Sequence, residues 1–197
     1  MGRPGALGAL LAATVMAAPA DGDPHYRNAA LGCAFDPPAG WARVRHAGAV
    51  AVFIRPGARA EPARRVSPGE TTMEFLSRAQ RVLRAPPARP GFRPNVTFTA
   101  RPAPSMSLAE FGREMRRRIA RLRGVRVVRE TRGELGGAPA LIRTVRAWGA
   151  GPATLTRTAY CIRGARLFVL ALTMRATEPR RLAAAFAKLH ASFAWKR

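Results

Sequence analysis

The feature that most constrains this chain lies in its second half. From residue 125 onward the apolar residues change spacing, and four runs rich in valine, leucine and threonine follow one another. They cover residues 125–131, 138–148, 154–163 and 166–175, separated by Gly136-Gly137, by the turn at 149–152 and by Gly164. Connections this short cannot carry a chain back over a sheet to form a parallel pair, so consecutive runs must pair antiparallel. Residues 167–172 (Leu-Phe-Val-Leu-Ala-Leu) are apolar without alternation, as in a strand buried on both faces.

Helical signals flank this meander. Ser107 followed by Glu110 forms a capping box, and Leu108, Phe111, Met115, Ile119 and Leu122 recur at helical spacing behind it. Gly124 stands where a C-terminal cap glycine belongs. A last helix is expected after Thr177 as cap, with Pro179 in its first turn and Leu182, Phe186, Leu189 and Phe193 on its apolar face. Upstream, short strands are expected over 31–35, 49–54 and 95–101, the first closed by the turn 36–41. Thr71 and Glu74 mark a further capped helix that ends before Pro86-Pro87. Helices segregated from a mostly antiparallel sheet give an α+β class, and two or three helices over one face of that sheet fit the pattern.

Residues 1–20 read as an export signal. Arg3 supplies a short positive start, residues 6–17 an apolar stretch too short to span a bilayer, and Ala18-Pro19-Ala20 a small-x-small cleavage site. An uncleaved anchor is the competing reading. The expected organisation is a signal over 1–20, a flexible segment over 21–30, and one domain over 31–197 with an inserted loop and helix near 57–90. The expected location is periplasmic or secreted, with membrane association open. Export would place Cys33 and Cys161 in an oxidising compartment. They read either as a disulfide between the first strand and a late one, or as two buried thiols.

The charge balance is extreme: 34 basic against 11 acidic residues, with Lys188 and Lys196 the two lysines. Heavy use of Ala, Arg, Gly and Pro fits a GC-rich genome and explains arginine in place of lysine. It does not explain the scarcity of acids, which favours anionic partners. The best local candidate is the helix that starts at Ser107, whose outer faces carry Arg113, Arg116, Arg117, Arg121 and Arg123. Arginine suits oxyanions because its planar fork donates two hydrogen bonds at once. The plainer reading is a solvated helix face. Readers of nucleic acid interleave aromatics with basic residues; this stretch has only Phe111, already assigned to the core, and export also argues against nucleic acid. A protein partner or an anionic membrane surface fits better, and the sequence does not fix the oligomeric state.

No catalytic constellation is evident. The histidines His25, His46 and His190 are scattered, no nucleophile elbow occurs, and the acids are too dispersed for a metal site or a cofactor motif. Two thiols cannot build a tetrahedral zinc centre.

Several short motifs, in order, resemble the DcrB/PsbP-like family of bacterial exported domains. They are residues 33–41 (Cys-Ala-Phe-Asp-Pro-Pro-Ala-Gly-Trp), 91–97 (Gly-Phe-Arg-Pro-Asn-Val-Thr), 106–111 (Met-Ser-Leu-Ala-Glu-Phe) and 135–140 (Leu-Gly-Gly-Ala-Pro-Ala), with the ending 186–193. The resemblance spans about 31–195 and departs from the family's pattern at 57–90. It implies the fold shared by the PsbP extrinsic subunit of photosystem II and a Ran-binding import factor, and a non-enzymatic binding or accessory role. A small-molecule or lipid pocket between helices and sheet is the alternative. The family's motifs are structural, so no functional residue is carried over.

Overall fold

The computed structural model describes residues 25–44, 49–55, 92–149 and 151–196. The expected signal peptide, the helix after Thr71 and His46 lie outside them. In chain order the elements are β1 (Tyr26–Asn28), a 3-10 turn (Ala29–Leu31), β2 (Cys33–Phe35), β3 (Ala42–Val44), β4 (Ala51–Ile54), β5 (Asn95–Pro102), α1 (Leu108–Ala120), β6 (Val125–Leu135), β7 (Ala138–Ala147), β8 (Thr154–Arg163), β9 (Arg166–Arg175), α2 (Pro179–Ala191) and β10 (Ala194–Trp195). Seven strands form one sheet in the order β3-β4-β5-β9-β8-β7-β6, and β1-β2-β10 form a small second sheet. Every pairing is antiparallel. The class is α+β, and the meander from β6 to β9 is the one that the glycine spacing implies.

Side chains alternate across a pleated strand, so the register sorts the core into two layers. Ala140, Cys161 and Phe168 face one side, next to Ala159, Leu170 and Phe98 in the adjoining row. That side packs against Leu182, Phe186 and Leu189 of α2 and against the small sheet. Its centre is an aromatic lattice in which Phe98 contacts Tyr26, Phe35, Phe168 and Phe193 at ring-centroid distances of 5.5–6.3 Å. Leu141, Tyr160 and Leu167 face the other side and pack against Phe111 and Met115 of α1. Each large apolar side chain buried this way contributes about 1.5–3 kcal/mol.

Two expectations are corrected here. The two described helices do not share a face; α1 and α2 lie on opposite sides of the large sheet. Thr177 does not cap α2: Glu178 is the N-cap residue, makes no side-chain cap bond, and Pro179 opens the helix.

Residues 25–30, expected to be flexible, are partly folded. Tyr26 is buried, and β1 pairs with β2 through Tyr26–Phe35, Arg27–Ala34 and Asn28–Cys33. Two strands differ from expectation: β3 was not foreseen, and β6 runs to Leu135 where the sequence suggested an end at 131. Residues 132–134 are Arg-Gly-Glu, a composition typical of loops, yet an edge strand tolerates it because one side meets water.

Gly124 carries a left-handed backbone (φ +73°), and a Cβ there would stand 2.3 Å from the carbonyl oxygen of Trp148. The same approach lets the Trp148 N–H donate to the Gly124 carbonyl at 2.7 Å. Glycine is therefore required where α1 hands the chain to β6.

Candidate anion-binding surface

Helix α1 begins as its sequence implies. The Ser107 hydroxyl oxygen accepts from the Glu110 N–H at 3.2 Å, and the Glu110 carboxylate accepts from the Ser107 N–H at 2.8 Å. Side-chain and backbone hydrogen bonds from Ser107 hold the Glu110 carboxyl below the usual range. With Phe111, Met115 and Ile119 buried, helical geometry turns Arg113, Arg116, Arg117, Arg121 and Arg123 outward, and all five are exposed.

They are not equally free to meet a partner. Arg117 pairs with Glu114 at 3.0 Å, and Arg118 also pairs with Glu114 through its Nε. Arg116 reaches across to Glu130 on β6. Arg113, Arg121 and Arg123 make no ion pair among the described residues. Between α1 and β6 lies an open cleft of about 280 Å³, lined by Arg113, Arg116, Glu130, Thr131 and Arg132. It is basic on three corners and holds one carboxylate.

Beneath that cleft sits a feature that residue spacing did not reveal. Arg143 of β7 is wholly buried. Its Nε donates to Glu130 at 2.6 Å, its Nη2 donates to the Gly112 carbonyl at 2.7 Å, and its guanidinium lies 5.8 Å from the Tyr160 ring. Its Nη1 has no hydrogen-bond partner. Gly112 favours this approach: a Cβ there would lie 2.8 Å from a Leu141 methyl, which would have to move aside for the helix to offer its carbonyl at the same distance. Burial pushes the Glu130 carboxyl up, but hydrogen bonds from Arg116 and Arg143 outweigh it and hold it below the ordinary range. Glu130 thus ties helix to sheet and is committed to that task. The available hint was an arginine at a position where Leu141 and Val145, two residues either side, are apolar.

A second cleft, of about 350 Å³, lies at the small sheet and includes His25, Asp36, Ser192 and Lys196. The His25 ring nitrogen Nδ1 meets the Asp36 carboxylate. A serine, a histidine and an aspartate in one cleft suggest hydrolytic machinery, but the Ser192 hydroxyl is engaged elsewhere. It accepts from the Asp36 N–H at 2.9 Å and donates to the Leu189 carbonyl at 2.9 Å. Its proton points into the end of α2, and its role is to tie β2 to that helix. His190 stacks on Phe186. Among the described residues no group of His, Cys, Asp and Glu is placed to hold a metal ion.

Cys33 and Cys161 are both fully buried and are free thiols in the structure. Burial pushes the Cys33 thiol up to about 11 and raises that of Cys161 as well.

No family model matches the chain, and no curated protein matches it in sequence. Solved structures do. The solution structure of PsbP from the cyanobacterium Synechocystis sp. PCC 6803 superposes with a TM-score of 0.51 at 13% identity, over 87% of this chain and 91% of that one. The fold is PsbP-like. LpqN of Mycobacterium tuberculosis, described as involved in cell envelope biogenesis, superposes with a TM-score of 0.53 at 12% identity, over 84% of this chain and 83% of that one. Among the described residues no helix is long and apolar enough to cross a membrane.

Proposed function

We propose that this chain is an exported, non-catalytic accessory protein of the bacterial envelope, of the DcrB/PsbP-like kind, that engages an anionic partner through its basic surface. One observation carries the reading: among the described residues basic side chains far outnumber the six acids, and every one of those acids but Glu134 already has a side-chain partner. Asp36 is paired with His25, Glu110 with Ser107, Glu114 with Arg117 and Arg118, Glu130 with Arg116 and Arg143, and Glu178 with Arg181. The remaining arginines therefore present a surplus that internal pairing does not cancel, and such a field draws in anionic surfaces at long range. LpqN, described as involved in cell envelope biogenesis, fits the same reading.

The alternative, a ligand pocket between helices and sheet, has less support. Both helix–sheet interfaces are filled, the α2 side by apolar side chains and the α1 side by apolar side chains with the Arg143–Glu130 pair, and the two clefts are open, with charged groups among their lining residues. The engaged hydroxyl of Ser192 argues against hydrolysis.

The test is retention of envelope components on the immobilised full chain at low and high salt. The reading expects an acidic protein or anionic lipid to be held at low salt and released at high salt, because contacts between exposed charges are screened within about 8 Å at physiological ionic strength. Retention that ignores salt, or none at all, would overturn it.

A further inference from the structure

A concentration of uncompensated charge also lies away from α1, on the large sheet. Arg126 of β6 lies directly opposite Arg146 of β7, which lies opposite Leu155 of β8. One step along, Arg129 lies opposite Thr144, which lies opposite Arg157. Leu155 belongs to the core under α2, so all four arginines project from the α2 side of the sheet. They occupy the end of that face where the edge strand β6 begins.

Like charges facing each other across two strands are destabilising, and here no acid among the described residues is ion-paired with these arginines. No Asp or Glu occurs within residues 121–129, 144–149 or 151–157. Arg126, Arg129 and Arg146 are exposed. Arg157 is half-buried over the Phe186 ring, 5.0 Å from its centroid, and its Nε is buried without a hydrogen-bond partner. Burial, with the neighbouring charge of Arg129, pulls its guanidinium below the ordinary range.

The rim of this patch is apolar. Trp148 is 43% exposed, with Arg126 5.8 Å from its ring centroid, and Val128, in the irregularity of β6 between Val127 and Arg129, is 52% exposed. They are two of the three large hydrophobic side chains exposed among the described residues. An indole beside guanidinium groups suits the headgroup layer of a bilayer, where the ring enters the interface and the cations meet phosphates. A protein contact also favours tryptophan and arginine, but its buried centre is depleted of charge, whereas here four cations form the centre and the apolar groups only the rim.

We propose that Arg126, Arg129, Arg146 and Arg157, rimmed by Trp148 and Val128, form a docking face for the phosphate headgroups of an anionic phospholipid bilayer. This rests on the anionic-partner reading above and assigns it a place and a lipid. The arginine pairs are retained at a cost in stability because together they meet a sheet of negative charge.

The experiment is co-sedimentation of the full chain with vesicles of phosphatidylcholine alone and with added phosphatidylglycerol. The phosphatidylcholine arm accounts for any contribution of the apolar residues 6–17. The increment due to phosphatidylglycerol should fall about fivefold for each arginine removed, hence roughly 25-fold in Arg126→Gln/Arg146→Gln. Trp148→Phe should abolish the blue shift of tryptophan emission on those vesicles. The double variant should melt no lower than the parent, a result that a purely structural role for the pair would not give. If the double variant keeps the full increment while Arg113→Gln/Arg121→Gln/Arg123→Gln loses it, this site is wrong and the anionic-partner reading stands. If the parent shows no increment yet releases an acidic envelope protein at high salt, the lipid assignment is overturned and the broader reading again stands. If both the increment and the salt-sensitive capture are absent, both fall.

Discussion

Replacing Glu130 by Gln should unfold this domain more readily than any change at the exposed arginines. The substitution keeps the shape and one acceptor oxygen but removes the charge that Arg143 is buried against. Arg143 would retain the Gly112 carbonyl at 2.7 Å and a neutral amide oxygen, with Nη1 still unpartnered and the side chain wholly out of water. Breaking a buried pair by removing one partner costs about 3–5 kcal/mol. Because glutamine preserves an acceptor, the low end, about 3 kcal/mol, is the appropriate value. For a chain of this size each kcal/mol moves the melting temperature by about 2–4 °C, so the expected loss is roughly 6–12 °C. Removing both partners should cost far less, since replacing a buried ion pair by apolar groups is often neutral. Thermal denaturation of Glu130→Gln, Arg143→Met and Glu130→Leu/Arg143→Met would measure this coupling. A melting shift below about 2 °C for Glu130→Gln, or a double variant whose loss equals the sum of the single losses, would refute the claim that this pair pins α1 to the sheet.

Other outcomes follow from the same structure. Glu110, Glu114 and Glu130 are all held below the ordinary carboxyl range, so their contribution to stability is complete above pH of about 4.3 and is lost as pH falls through their lowered folded values. Urea midpoints from pH 7 to 2 should drop in that acid window, and less steeply in Glu130→Gln. Gly124→Ala must place a Cβ against the Trp148 carbonyl in a left-handed conformation; it should cost about 2 kcal/mol or more, read as a lowered denaturation midpoint. With Cys33 at about 11 and Cys161 also raised, neither thiol should react with a disulfide reagent at neutral pH until the protein unfolds, when both should titrate; no titratable thiol in denaturant would show instead that they are bridged.

Much of the fold was readable because local and global signals agree. Strands β8 and β9 begin and end at the residues that the glycine turns imply, and the Ser107–Glu110 box opens α1 as written. What escaped depended on contacts between distant residues. Tyr26 looked like part of a polar lead-in, yet its ring fills a space between Phe35, Phe53 and Phe98 that exists only once two sheets are stacked. Opposite placement of the helices was also hidden. An amphipathic helix shows which of its own sides is apolar, while the near-continuous apolar run of β9 does not say which sheet face each helix takes. The site was less legible still. Reading along α1 found arginines at helical spacing, and two of these, Arg116 and Arg117, are partly neutralised by Glu130 and Glu114. The arginines that face one another on β6, β7 and β8 are far apart in sequence, and only the strand register, with its irregularity between Val127 and Arg129, brings them to one surface.

The proposed contact lies at the β6–β7 end of the large sheet, not on α1. Hydrogen–deuterium exchange of the full chain, with and without vesicles containing phosphatidylglycerol, locates that contact directly. Slowed exchange is expected only in the peptides covering 124–129, 144–149 and 154–157, reversed by high salt. Slowing confined to 107–123, or no change anywhere on those vesicles, would place the contact elsewhere.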